Sequence, residues 1–146
     1  MSLRRRILVV SDDRDLQQVL MEQFQIFEEF IAEGAPSGTV AIDRIKEQYF
    51  DGIVLDAGLS DMCGREVCRV MRRTGVKSPI IMLIGIDTDA DKILGLDTGL
   101  NDCLTKPFKI SALLTCLRAH IREHEQSEHA VFQIGHYTFR PAVKVM

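Results

Sequence analysis

The chain has 146 residues, 46% of them apolar, with a net charge of -3 and a pI of about 5.8. That length and composition suit one domain with a substantial core and exclude a disordered or fibrous chain. The acidic balance excludes a surface built to hold nucleic acid, and the longest apolar run, Ile80 to Ile86, is too short to span a bilayer.

Ile7-Leu8-Val9-Val10 opens the chain as a buried strand, ending at Ser11-Asp12-Asp13. The preceding Arg4-Arg5-Arg6 cluster is followed by too few apolar residues to make a secretory signal, so the chain reads as soluble, with no membrane partner. Asp12 or Asp13 caps a first helix with Leu16, Val19, Leu20, Phe24 and Phe27 at helical spacing. Phe30-Ile31-Ala32 is a weaker second strand, closed by Gly34, Pro36 and Gly38, and a second helix runs over Val40, Ala41, Ile42, Ile45 and Tyr49.

Gly52 to Asp56 is the central strand: an apolar run leading straight into a carboxylate, with a glycine-bracketed loop behind it. A third helix starts near Gly64, presents Val67, Val70 and Met71, and ends near Arg72-Arg73-Thr74-Gly75, whose arginines read as its solvated end. Pro79 to Leu83 is the fourth strand, and Asp87 to Thr98 a fourth helix that stops at Gly99. Asp102-Cys103-Leu104-Thr105 is a fifth strand delivering Lys106-Pro107 at its tip, and Ile110, Leu113, Leu114, Leu117 and Ile121 mark the last helix. Beyond Arg122, the polar stretch 123–129 reads as a frayed helix end or linker, and 131–146 as a possible strand pair with no core of its own. Four cysteines without CxxC spacing read as reduced, buried, cytosolic thiols.

Five βα units argue for an α/β fold, a doubly wound five-stranded parallel sheet with helices on both faces. If the strand order is 2-1-3-4-5, then Asp12, Asp13, Asp56 and Lys106 converge on the crevice beyond the carboxyl ends of the strands. Crowded carboxylates repel unless a cation joins them, and an all-oxygen site suits Mg2+. Asp56 would then attack phosphorus to give an aspartyl phosphate, Lys106 would hold a phosphoryl oxygen, and the amides of Ala57 and Gly85 would donate to it.

The paired Asp12-Asp13, Leu55-Asp56 with Gly64 beyond it, Gly95-Leu96 with Gly99 and Asp102, and Lys106-Pro107-Phe108 together resemble a response-regulator receiver domain, over roughly residues 4–124. The resemblance implies the flavodoxin-like receiver fold and phosphate transfer to Asp56 from a sensor histidine kinase. It also implies a Mg2+ site of Asp13, Asp56 and the carbonyl of Gly58, with Asp12 assisting through water. Residues 132–139 are similar to the opening strands of the winged-helix domain of OmpR-class regulators. On that reading 125–146 is a linker and the start of a truncated DNA-binding domain.

Two departures from the family pattern concern its switch. Ile84 stands where receivers place a Ser or Thr, and Cys103 where they place a Tyr or Phe. In the OmpR class, receivers dimerise through the fourth helix, fifth strand and fifth helix. Lys92 and Asp102 match one side of the ion pairs and Arg118 remains, but Ala112 and Cys116 replace the partners. His120 and His124, four apart on one helix, show no third metal ligand and read as exposed histidines.

The main alternative is a receiver-like interaction module that works without phosphate. A Mg2+-dependent phosphatase would need a general acid two residues after its nucleophile. Asp56 is followed there by Gly58, and Asp13 by Asp15 inside the first helix. No P-loop or GxGxxG pattern supports nucleotide-dependent enzymology.

Overall fold

The computed structural model describes residues 4–85 and 99–137, with side chains up to Ser127. The segment expected to form the fourth helix, 87–98, lies outside the described residues. Five strands, β1 (Arg5–Val10), β2 (Phe30–Ala35), β3 (Gly52–Asp56), β4 (Ile80–Ile84) and β5 (Asp102–Thr105), form one sheet in the order β2-β1-β3-β4-β5, and every neighbouring pair is parallel. Four described helices connect or flank them: α1 (Arg14–Ile26), α2 (Gly38–Glu47), α3 (Gly64–Thr74) and α4 (Ile110–Tyr137).

Side chains that alternate along the inner strands divide the core in two. Leu8, Val10, Ile53, Leu55, Ile80, Met82 and Ile84 pack with Ala41 of α2 and Val67, Cys68 and Met71 of α3. Ile7, Val9, Val54, Ile81 and Leu83 pack with Leu20 and Phe24 of α1 and Leu113, Leu117 and Ile121 of α4. Strands covered on both faces must be apolar on both, which is why they read as unbroken hydrophobic runs.

The helix ends follow local chemistry. Asp13 caps α1 by accepting from the Leu16 amide, Ser37 caps α2 by accepting from the Val40 amide, and α3 stops at Gly75 with φ of 110°. Among the described residues no helix is long and apolar enough to cross a membrane.

Four expectations are corrected. Tyr49 lies beyond the end of α2 and is 63% exposed, so it is not part of that helix's apolar face. Cys63 is exposed, and Cys103 and Cys116 are half-buried, leaving Cys68 as the fully buried thiol. The last helix runs on through 123–129, read as a frayed helix end or linker, and reaches Tyr137 within the stretch read as a possible strand pair. Glu, His and Gln are compatible with a helix, so polarity alone did not end it, and Glu125 ties the extension to β1 through Arg5 at 2.7 Å.

Arg72 is the fourth. Its guanidinium folds back from α3 and donates to the carbonyls of Val76, Ser78 and Gly99 and to Asn101 Oδ1, at 2.8–3.0 Å. Asn101 Oδ1 also accepts from the Ile80 amide at 2.9 Å. Arg72 therefore organises the entries to β4 and β5 instead of standing in solvent.

Candidate functional site

Strand register assembles the site. Ile7 pairs with Gly52 and Val10 with Leu55, so the residues that follow, Ser11 and Asp56, meet at the carboxyl edge of the sheet. Ser11 Oγ donates to Asp56 Oδ2 at 3.0 Å, and the two residues are 2% and 3% exposed. The other oxygen, Oδ1, accepts from Lys106 Nζ at 2.9 Å and from the Gly58 amide at 3.1 Å. An ionised carboxylate this buried is costly unless it is paired and hydrogen-bonded, and Asp56 has a hydroxyl, an ammonium and an amide for the purpose. Lys106 is placed by β5: Thr105 pairs with Ile84, and the Lys106 amide donates to the Ile84 carbonyl at 2.8 Å. Its side chain is 35% exposed, so it faces both Asp56 and solvent.

The other acids stand at the same edge but are turned to different donors. Asp12 Oδ2 accepts from the Ser60 hydroxyl and amide, and these bonds, the hydroxyl first, hold its carboxyl below the usual carboxylate range. Asp13 Oδ1 is taken by the α1 cap at 3.2 Å. Asp12 is thus held by Ser60 in the loop after β3, Asp13 by the Leu16 amide, and Asp56 by Ser11, Lys106 and Gly58. Their like charges oppose closer approach.

The Ala57 amide lies at the end of the β3–β4 ladder. It donates to the Leu83 carbonyl at 2.9 Å. Gly85 follows β4 and is exposed. The loop after β3 is held from two sides. Asp61 accepts from the Gly38 and Thr39 amides at the start of α2, both at 3.0 Å, and a Cβ on Gly64 would come within 2.8 Å of the Ala57 Cα.

Ser11 is the residue that a search for acids passes over. Its oxygen donates to Asp56 and accepts from the Asp13 amide at 3.1 Å, which fixes the hydroxyl rotor. Aligning the runs Ile7–Val10 and Gly52–Leu55 end to end is the signal that would have found it. Ser11→Ala leaves Asp56 Oδ2 without its donor and is expected to cost about 1–3 kcal/mol of stability, read as a lower urea midpoint. An unchanged midpoint would contradict this role.

Ile84 is fully buried in the core cluster under α2 and α3, and Cys103 packs against the same cluster. Neither side chain reaches Asp56 with a strong hydrogen-bond donor.

Comparison with known proteins identifies the arrangement. The family model for the response regulator receiver domain matches residues 7–118. The chain belongs to that family. It is 38% identical over 125 residues to the response regulator MprA of Mycobacterium avium, covering 86% of this chain and 54% of that protein. The MprA of Mycobacterium tuberculosis is likewise 38% identical over 125 residues. The chain thus spans about half the length of the curated relatives it matches.

Among solved structures, the receiver domain of the Francisella response regulator 1452 superposes with a TM-score of 0.75 at 28% identity, covering 82% of this chain and 98% of that one. A structure described as adenylate cyclase from Rhodopirellula baltica superposes at 0.79 with 26% identity, covering 90% and 98%.

The positions assigned to a self-association face are distributed differently in this receiver. Lys92 lies outside the described residues. Asp102 is engaged within its own chain by Cys116 and His120. Arg118 turns to the other flank of α4, about 200° round the helix from Cys116. There it pairs with Glu29 at 2.7 Å and lies over the rings of Phe27 and Phe30, at 5.3 and 5.8 Å.

Proposed function

We propose that this receiver accepts a phosphoryl group on Asp56 from the phosphohistidine of a cytoplasmic sensor kinase and so regulates an attached DNA-binding output. The observation that carries the reading is the contact of Lys106 Nζ and Ser11 Oγ with opposite oxygens of a carboxylate that is 3% exposed. Ser11 and Gly58 fix the carboxylate's orientation. As Asp56 attacks, an O–P bond forms, the N–P bond of the donor breaks, and the imidazole leaves as the neutral base after taking a proton. Lys106 exchanges its contact with the carboxylate for one with a phosphoryl oxygen and neutralises part of the charge there.

Asp12, Asp56 and the Gly58 carbonyl are hard oxygen donors at one edge of the sheet, with Asp13 beside them, and their chemistry fits Mg2+. When bound, that ion supplies positive charge against the incoming phosphoryl oxygens. Asp12, free of the core and ionised through Ser60, is the side chain best placed to turn towards it.

Reduction of the phosphorylated protein with borohydride converts an acyl phosphate to an alcohol and so marks its position. We expect homoserine at position 56. Label at position 12 or 13 would overturn the assignment.

Ile84 favours a second reading. With Ile84 buried and Cys103 against the same cluster, the hydroxyl and aromatic pair through which the family signals is absent, and the chain would act through protein contacts, including self-association over β5 and α4, regardless of phosphate. Under the first reading phosphorylation of Asp56 changes self-association or target binding. Under the second it does not.

A further inference from the structure

Away from Asp56, three ligating groups that the phosphoryl chemistry does not use stand together between β5 and α4. Asp102 Oδ2 is 3.2 Å from Cys116 Sγ and 3.1 Å from His120 Nε2, and all three atoms lie within 4.8 Å of one another. Cys116 and His120 are one turn apart on the same face of α4, and Asp102 is the first residue of β5, so both elements are already docked when the groups meet.

We propose that Asp102, Cys116 and His120 form a Zn2+ site, with water in the remaining position. One thiol sulfur, one imidazole nitrogen and one carboxylate oxygen make a donor set that suits Zn2+, whereas Mg2+ prefers oxygens alone. Zinc bonds of about 2.0–2.3 Å at tetrahedral angles separate ligand atoms by roughly 3.4–3.6 Å. The two observed separations from Asp102 need only open by a few tenths of an ångström. Each residue is half-buried, and the groove beside them, lined by Leu104, Thr115 and Ala119, opens to solvent. Entry and a water ligand are both provided for.

A carboxylate also stands near the other side of the ring, short of hydrogen-bond contact but able to close onto it. The second nitrogen of His120, Nδ1, faces Glu123 Oε1 at 3.6 Å. A carboxylate behind the ring is the usual outer partner of a metal-bound histidine, because it fixes the tautomer and raises the basicity of the other nitrogen. Without metal, burial and the Asp102 carboxylate push the Cys116 thiol up to about 12, and it donates to Asp102. On binding, the Zn–S bond replaces the S–H bond and that proton leaves to solvent.

The test uses the untagged full chain near neutral pH. It should withhold one equivalent of Zn2+ from a chromogenic chelator, and Co2+ in its place should give the near-ultraviolet thiolate charge-transfer band and the visible bands of a tetrahedral ion. Cys116→Ser should abolish the charge-transfer band, and both it and His120→Gln should weaken Zn2+ binding by more than about 100-fold. Cys103→Ser and Asp12→Asn should bind as the parent does. Zn2+ should also raise the melting temperature of the parent and of neither ligand variant. Should Cys116→Ser fail to fold, His120→Gln carries the same comparison. No retention by the parent, or retention undiminished in His120→Gln, would overturn the site. The second result would place the ion at the acidic edge or on another cysteine.

Discussion

Replacing Lys106 by alanine is expected to slow phosphoryl uptake by about 10²–10³-fold while leaving the fold intact. The ammonium touches Asp56 Oδ1 at 2.9 Å and is also 35% exposed, so a phosphoryl group arriving from solvent meets it directly. Ser11 and the Gly58 amide stay in place in the variant, and attack remains possible but lacks the fixed positive charge for the developing phosphoryl oxygens. Stability should fall by about 1–2 kcal/mol, less than for a fully buried pair, because solvent partly screens the lysine. Lys106→Arg should recover stability better than rate, since a planar fork cannot reproduce a point charge at this position. The rate of adduct formation from a small-molecule phosphodonor reads the effect. A rate unchanged in Lys106→Ala would remove Lys106 from the chemistry.

Arg72→Ala should be the most damaging change of a charged residue outside the site, at about 3 kcal/mol. One guanidinium satisfies the carbonyls of Val76, Ser78 and Gly99 and the Asn101 side chain, which itself holds the Ile80 amide. Alanine leaves the part-buried carbonyls of Val76 and Ser78 unpaired, while the exposed Gly99 carbonyl and Asn101 side chain turn to water, and each hydrogen bond to a charged donor is worth about 1.5–3 kcal/mol before solvent replaces it. Gly99, with φ of 88°, presents its carbonyl to this arginine, so the turn before β5 should loosen as well. Arg72→Lys should recover only part of the loss, because an ammonium cannot span the same acceptors. Chemical denaturation of the three proteins tests this. A midpoint in Arg72→Ala equal to the parent's would return Arg72 to the role of a solvated helix end.

The fold was legible because strands buried on both faces must be continuously apolar, and Ile7–Val10, Ile53–Leu55 and Ile80–Leu83 are. Asp56 was legible for the same reason, as a carboxylate at the tip of such a run, whereas Lys106 follows the half-buried edge strand β5 and was placed by the strand order and by Pro107 behind it. What periodicity does not carry is direction and register. Ser11 was passed over because it is not an acid, although its position follows from pairing Val10 with Leu55. Asp12 and Asp13 were left as alternative caps of the first helix, and only the fold settles that Asp13 is the one that caps α1.

Arg72 looked solvated because charge at a helix C-terminus usually is, and only the return of the chain through Ser78 and Gly99 supplies its acceptors. His120 was paired in the sequence with His124, one turn away. Its real neighbours are Cys116 and Asp102, the latter brought across from β5 by tertiary packing. The polar tail left a frayed helix end and a linker both open, because polarity marks exposure and not the end of a helix.

The most direct test of the central claim is intact-mass analysis of the full chain incubated with Mg2+ and a small-molecule phosphodonor, beside Asp56→Ala treated identically. One phosphoryl adduct on the parent, absent from the variant and lost when Mg2+ is chelated, is the predicted result. A parent that binds Mg2+ but gains no adduct, or a variant that gains the same one, would contradict it.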